Sequence, residues 1–160
     1  MKLYEYFNHY VMKAVEVLTT ILMFVLVGLV FFQVVNRFLL HIPAAWTEEM
    51  ARYNFVWLSL FGSVIALRSD RHLSVDLLVQ GIKSRKTQDV INVLVSVLVI
   101  LFSLILTWSG YNYTISNWTN TCEFGAFPLA CIYAAVPFAG LLLVIVSFEK
   151  LAVSFRDLVR

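Results

Sequence analysis

The strongest constraint on the fold is the spacing of charge, which leaves four long apolar stretches. Residues 17–36 and 53–67 carry no charge, and none falls between Asp89 and Glu123 or between Glu123 and Glu149. An apolar stretch of about 18 or more residues can cross a bilayer as a helix. Only 14% of the residues are charged, whereas the fraction in soluble domains approaches about a quarter. The sequence predicts an all-α integral membrane protein with four transmembrane helices.

These stretches predict one membrane domain that covers residues 1–160. The approximate bounds of its transmembrane helices are 14–40, 48–67, 88–113 and 128–152. Residues 1–13 mix aromatic and charged side chains, which predicts an amphipathic segment on the inner membrane surface. A cleavable signal peptide would have a shorter apolar core and a small-residue cleavage site, so the first helix is expected to stay in the protein.

The distribution of Lys and Arg predicts the orientation, because these residues collect in cytoplasmic loops. All of them except Arg37 and Arg52 lie in the two tails or between the second and third helices. Both termini are therefore expected in the cytoplasm. Residues 74–84 have apolar side chains at helical spacing and lead into a basic run. They predict a short amphipathic helix at the inner interface, where its basic end meets anionic lipid headgroups.

A charged cluster lies at the outer end of the second helix. Glu48, Glu49 and Arg52 fall within about one helical turn, and Arg37 ends the preceding helix on the same side. This cluster could lock the first hairpin or dock a partner protein. The simpler alternative is ordinary helix capping, with Arg52 extending towards the lipid headgroups. Ion transfer is disfavoured because the cluster lies at a membrane edge, whereas transport residues usually lie inside the membrane.

Small and polar side chains on the first two helices predict close helix packing. Gln33 and Asn36 can hydrogen-bond across to another helix, which is a more common role than ligand binding. Ser59, Gly62, Ser63 and Ala66 form a stripe on the second helix that permits close approach of another helix. The stripe predicts packing but does not identify what packs there.

Residue types that carry chemistry in other proteins give no sign of an active site here. His9, His41 and His72 lie away from the membrane centre, where a haem-binding bundle would place its axial ligands. Cys122 and Cys131 lie near the outer surface, where an oxidising periplasm permits a disulfide; otherwise they are small buried residues. The sequence has no phosphate-binding glycine loop, metal-spaced cluster, nucleophile–base pair or basic stripe. An enzyme, a bound cofactor and a nucleic-acid partner are therefore not expected.

The third and fourth helices have no charged residue at their centres. A transporter that moves a charged solute alone usually has one, or has broken helices in repeated halves. The chain is therefore predicted not to transport alone. Two alternatives stay open: a membrane anchor for a respiratory enzyme, which predicts haem absorbance or quinone binding, and a small exporter that works as a dimer, which predicts transport by this chain alone.

A pattern of residues along the chain resembles that of a known family. Its members are Asn36, Arg37, Trp46, Glu48, Glu49, Ala51, Arg52, Phe55, Trp57, Gly62, Ala66, Arg68, His72, Asp76, Pro128, Tyr133, Pro137 and Gly140. The pattern is similar to that of the small membrane subunit of TRAP transporters (tripartite ATP-independent periplasmic transporters), of the DctQ type. Its most specific part is the spacing between the motif Trp46-x-Glu48-Glu49 and the later residues Arg68, His72 and Asp76.

The resemblance implies a sodium-coupled secondary transporter of three parts in the bacterial inner membrane. A periplasmic binding protein would deliver an organic acid, a carboxylate such as a C4-dicarboxylate or sialic acid. A large membrane subunit would carry the solute and sodium by an elevator-type movement, and the sodium sites are expected there. The small subunit would be a non-catalytic scaffold that forms a stable heterodimer with the large subunit. It would contact the binding protein transiently and membrane lipids throughout.

The resemblance also implies roles for individual residues. Arg37, Glu48, Glu49 and Arg52 would support the outer side of the assembly, and Arg68, His72 and Asp76 would support the inner side. Asn36, Trp46 and Trp57 complete the set of subunit-interface or structural candidates. Cys122 and Cys131 are not part of the family pattern.

Overall fold

Long helices make up most of the described part of the chain. The structure is a computed structural model that describes residues 2–40, 45–69, 85–122, 125 and 128–159. The elements are α1 (Lys2–Val35), a π-helical segment (Asn36–Leu40), α2 (Ala45–Arg68), α3 (Arg85–Ser116), α4 (Ala130–Tyr133) and α5 (Ala135–Val159). Four spans are long and apolar enough to cross a membrane: Asn8–Leu39, Trp46–Arg68, Val93–Ser116 and Ala130–Leu151. The prediction of an all-α, multi-pass membrane protein is confirmed.

The core lies between α2 and α5, and α1 packs at its edge. Its buried side chains are Met12, Val15, Phe61, Val64, Leu67, Ala139, Leu143 and Val146. In the most apolar 18-residue stretch of the first span, 6% of the residues are buried. In the corresponding stretch of the span that contains α5, the buried share is 39%. The C-terminal two thirds of α1 therefore present most of their apolar side chains to the lipid or to another protein.

The helices α3 and α5 approach each other closely at two glycines. A Cβ atom on Gly110 would lie 2.7 Å from Val136 Cγ1 and 3.0 Å from Pro137 Cδ. A Cβ atom on Gly140 would overlap the Thr107 hydroxyl and lie 3.0 Å from the Thr107 backbone nitrogen. Small residues allow helix backbones to pack tightly in a membrane. This contact explains why a glycine is needed at position 140.

Residues 117–122, 125 and 128–129 are the described part of the connection between α3 and α4. Thr121 and Pro128 form an antiparallel β-bridge, and Gly125 between them has a φ of 66°, which glycine adopts without steric strain. Tyr113 of α3 packs edge to face against Tyr133 of α4, with ring centroids 4.6 Å apart. These contacts hold the ends of α3 and α4 together.

The fourth predicted helix is divided. One continuous helix was expected over 128–152, but α4 ends at Tyr133 and α5 begins at Ala135. Pro137 is the physical reason: it has no N–H to bond the Tyr133 carbonyl, and its ring crowds that carbonyl. The irregularity therefore lies about one turn before the proline, within the membrane-spanning stretch Ala130–Leu151.

Other predicted bounds also differ from the observed ones. The amphipathic segment over 1–13 was expected to be separate from the first transmembrane helix, but α1 runs without interruption from Lys2 to Val35. Asn8 and Met12 of this segment are buried and pack against the bundle. The segment contains no Pro or Gly that would end a helix. The interfacial helix predicted over 74–84 and His41 lie outside the described residues.

Candidate functional site at the first hairpin

The C-terminal end of α1 lies beside the beginning of α2. The Gln33 side chain donates a hydrogen bond from Nε2 to the Thr47 carbonyl at 2.8 Å. The rings of Phe32 and Trp46 are also in contact, with centroids 6.3 Å apart. The cross-helix role predicted for Gln33 is therefore observed, with a backbone carbonyl as its partner.

One part of the outer cluster is enclosed within this hairpin. Asn36, Thr47 and Glu49 are buried, and Glu49 is only 3% exposed. The Tyr53 hydroxyl donates a hydrogen bond to Glu49 Oε1 one turn further along α2. A buried carboxylate is stable in such a place only with hydrogen-bond donors around it. Glu49 therefore belongs to the internal structure of the hairpin.

The other part of the outer cluster is exposed. Arg37, Glu48 and Arg52 are exposed, and Trp46 retains 45% of its accessible surface. Within the part of the chain that the structure describes, the side chains of Arg37, Glu48 and Arg52 form no hydrogen bond or ion pair. An internal ion-pair lock among these three residues is therefore not observed. Their charges are available to lipid headgroups or to another protein.

Glu48 and Arg52 lie on the same face of α2 as the small-residue stripe. A helix rotates by about 100° per residue, which places the following residues of α2 on one face: Glu48, Arg52, Phe55, Ser59, Gly62, Ser63 and Ala66. The Ser59 and Ser63 hydroxyls donate to carbonyls of their own helix, at 3.0 and 2.7 Å. Gly62 has open space where a Cβ atom would be. No element of the described chain covers this face, so another helix could approach it closely.

A polar contact joins the same two helices near their middle. Asn54 of α2 is 9% exposed and donates a hydrogen bond from Nδ2 to the Leu22 carbonyl of α1 at 3.1 Å. Apolar side chains gain little from leaving lipid for a protein interior, so such bonds help to hold transmembrane helices together. This contact fixes the register of α1 against α2.

A third polar contact lies at the end of the hairpin opposite the loop between α1 and α2. Asn8 is 2% exposed and donates a hydrogen bond from Nδ2 to Glu149 Oε2 of α5. Arg68 Nη1 donates to the backbone carbonyl of Asn8 at 3.3 Å. Asn8 thus connects the ends of α2 and α5 to the beginning of α1. Arg68 acts here within the chain, at least in part.

The remaining candidates fall into three groups. Trp57 packs at the core edge against Phe61, with ring centroids 5.3 Å apart, so its role is structural. His72 and Asp76 lie outside the described residues. Cys122 and Cys131 are both free thiols; Cys122 is buried and Cys131 is exposed. Whether the two cysteines pair in an oxidising compartment stays a prediction.

Sequence reasoning did not identify Asn8, Asn54 or Glu149. For Asn54 a signal was present, because it is a polar residue inside an uncharged span and follows Arg52 by half a turn. Asn8 lies in the segment that was expected to be separate from the bundle. No three or more His, Cys, Asp or Glu among the described residues are placed to hold a metal. The hairpin offers polar helix contacts and exposed charges, which are suited to assembly with another membrane protein.

Comparison with known proteins gives matches over most of the chain. Residues 26–157 match the family described as "Tripartite ATP-independent periplasmic transporters, DctQ component". A Haemophilus influenzae protein named as a TRAP transporter small permease is 26% identical over 143 residues, which cover 89% of this chain and 88% of that protein. The Vibrio cholerae "Sialic acid TRAP transporter small permease protein SiaQ" is 28% identical over 103 residues, covering 64% of this chain and 58% of SiaQ.

A longer protein also matches almost the whole chain. The Haemophilus influenzae "Sialic acid TRAP transporter permease protein SiaT" is 27% identical over 152 residues, which cover 92% of this chain but only 24% of SiaT. The family match includes the exposed cluster, the small-residue face of α2 and the glycine contact of α3 with α5. The chain therefore belongs to the DctQ-component family of tripartite ATP-independent periplasmic transporters, the small permease subunits.

Proposed function

We propose that this chain is the small scaffold subunit of a TRAP transporter and that its α2 face holds a large membrane subunit. The observation that carries the proposal is the division of the charged cluster. Glu49 is buried within the hairpin, whereas Glu48 and Arg52 are exposed on the small-residue face of α2. Exposed charges at one end of a small-residue face are suited to pairing with charges on a partner helix.

The physical chemistry of this face suits a transmembrane helix. Small side chains let two helix backbones approach closely, and the gain in packing is one of the main forces that associate helices in lipid. At the outer end, Glu48 and Arg52 offer one negative and one positive charge, which can pair with opposite charges on the partner. Such charges determine the orientation in which the two subunits dock more than they increase the affinity between them.

The match to SiaT supports a large partner subunit. This chain is similar to about a quarter of that permease, so the remaining three quarters have no counterpart here. In our proposal a separate large subunit supplies that part, including the solute and sodium sites. The small subunit keeps the large subunit's static region in place and contributes no catalytic group.

The solute is proposed to be a carboxylate, such as sialic acid or a C4-dicarboxylate, that a periplasmic binding protein delivers. Two relatives are named as sialic acid transporter proteins, and this supports an acidic solute class. Uptake is proposed to be driven by sodium. The distribution of Lys and Arg supports an inner-membrane location with both termini in the cytoplasm.

Co-purification tests the assignment of the α2 face. The full chain carries an affinity tag and is expressed with a candidate large subunit from the same genome. We expect the large subunit to be retained, and we expect Ser63→Phe to reduce its recovery at least fivefold. Val27→Phe is the matched control, because Val27 is an exposed α1 residue away from this face. Equal recovery with both variants would show that the large subunit binds elsewhere.

A further inference from the structure

We infer that the inner part of α1 carries a binding site, called the seat below, for one anionic phospholipid. The headgroup would lie at Tyr10 and Lys13, with an acyl chain along the helix. The seat is an open groove of about 490 Å³, lined by Tyr10, Lys13, Ala14, Val17, Leu18 and Ile21. This inference does not depend on the proposed transporter function. It concerns a different helix and a different ligand from the α2 face.

The groove lies on the side of α1 that faces away from the bundle. At about 100° per residue its lining residues centre roughly 155° from Asn8, Met12 and Val15, which face the other helices. Tyr10 is 68% exposed, and no other element of the described chain lines the groove. A ligand can therefore enter it from the side, which is how a lipid in the bilayer would arrive.

The shape and polarity of the groove change along the helix as those of a phospholipid do. Ala14 leaves a notch between larger side chains, and the lining beyond it is entirely apolar as far as Ile21, over roughly 10 Å of helix. The polar groups, Tyr10 and Lys13, are confined to the end near the polar contacts of Asn8, which lie at the end of the hairpin opposite the loop between α1 and α2. A headgroup and an acyl chain match this division.

Charge selects an anionic headgroup. Lys13 is the only charged residue of the groove, and it forms no hydrogen bond or ion pair within the described part of the chain. Helical side chains point towards the helix N-terminus, so the side chains of Lys13 and Tyr10 both extend towards the polar end of the groove. There the ammonium and the Tyr10 hydroxyl can donate to the same phosphate. Glu16 lies one turn from Lys13, outside the groove lining, and its charge slightly opposes an anionic ligand.

Native mass spectrometry of the full chain tests the inference. The chain is reconstituted in nanodiscs that contain equal amounts of phosphatidylglycerol and phosphatidylcholine, and the lipids retained after release are counted. We expect one phosphatidylglycerol to be retained preferentially. Lys13→Gln should reduce this preference at least fivefold, and Ala14→Trp should reduce retention of both lipids because the indole fills the notch.

Two controls on the same helix separate the seat from general lipid contact. Glu16→Gln should leave phosphatidylglycerol retention undiminished or increase it, and Val27→Trp should leave it unchanged. Equal retention of both lipids by the natural chain would overturn the inference, as would equal effects of Ala14→Trp and Val27→Trp. Loss of the lipid when a large subunit binds would also contradict it, because the groove would then be occupied by protein.

Discussion

Asn54 of α2 donates a hydrogen bond to the backbone carbonyl of Leu22 in α1, at 3.1 Å, near the middle of both membrane-spanning helices. Together with the contacts of Asn8 and Gln33, it attaches α1 to the bundle at three depths. These contacts matter because so little of α1 is buried. They allow α1 to keep its place while most of its surface faces lipid or a partner.

Replacing Asn54 with Leu should loosen the first hairpin. The substitution removes the bond to Leu22, and we expect the free energy of unfolding in detergent micelles to fall by about 1 kcal/mol. Thr20→Val is the matched control, since the exposed Thr20 hydroxyl bonds only a carbonyl of its own helix. Equal stabilities of the two variants would show that the Asn54 contact contributes nothing to packing.

Substitution of Glu49 and substitution of Glu48 should give different defects. Glu49→Ala leaves the Tyr53 hydroxyl without its carboxylate acceptor, and we expect it to lower the free energy of unfolding by about 1–3 kcal/mol. Glu48→Ala should leave stability unchanged and reduce recovery of the large subunit. Unfolding in micelles and co-purification measure the two effects. If both variants lost stability equally, the division of the cluster into a buried and an exposed part would be wrong.

The glycine contact between α3 and α5 should not tolerate a methyl group. Gly140→Ala forces Thr107 and its backbone to shift, and we expect a loss of about 1–3 kcal/mol in the free energy of unfolding. Gly28→Ala is the control, because nothing lies within 4 Å of a Cβ atom at that position. A Gly140→Ala variant as stable as Gly28→Ala would contradict the close approach.

The two cysteines should differ in reactivity. Cys131 is exposed and Cys122 is buried, so we expect a membrane-impermeant maleimide added to the periplasmic side to label Cys131 alone. Labelling of Cys122→Ser and Cys131→Ser variants identifies the reactive residue. Labelling only from the cytoplasmic side would contradict the proposed orientation. Labelling of Cys131 only after reduction would show that the two thiols pair.

The sequence was sufficient to predict the four membrane-spanning stretches found among the described residues, because charge spacing and hydropathy are local properties. The same was true of the Gln33 contact. The packing expected at the small-residue stripe of α2 stays a prediction, because no element of the described chain covers this face. The sequence could not show that Glu48 is exposed while Glu49 is buried, since this depends on how α2 is rotated against α1. The Asn8 contact joins residues 141 positions apart, Asn8 and Glu149, and no local pattern predicts such a pairing.

Arg52 should matter more than a basic residue near the C-terminus. Arg52→Ala removes an exposed charge from the α2 face, so we expect weaker assembly with the large subunit than for Arg156→Ala. Co-purification measures the difference, with the unchanged chain as reference. Equal and negligible effects of the two substitutions would mean that Arg52 only contributes to topology.

The most direct measurement is uptake of radiolabelled sialic acid, and separately of a C4-dicarboxylate, into proteoliposomes under an inward sodium gradient. The proteoliposomes contain the full chain, the large subunit or both, each with and without the binding protein. We predict uptake only when all three proteins and the sodium gradient are present. Uptake by this chain alone, or full uptake by the large subunit and binding protein without it, would contradict the proposed scaffold function.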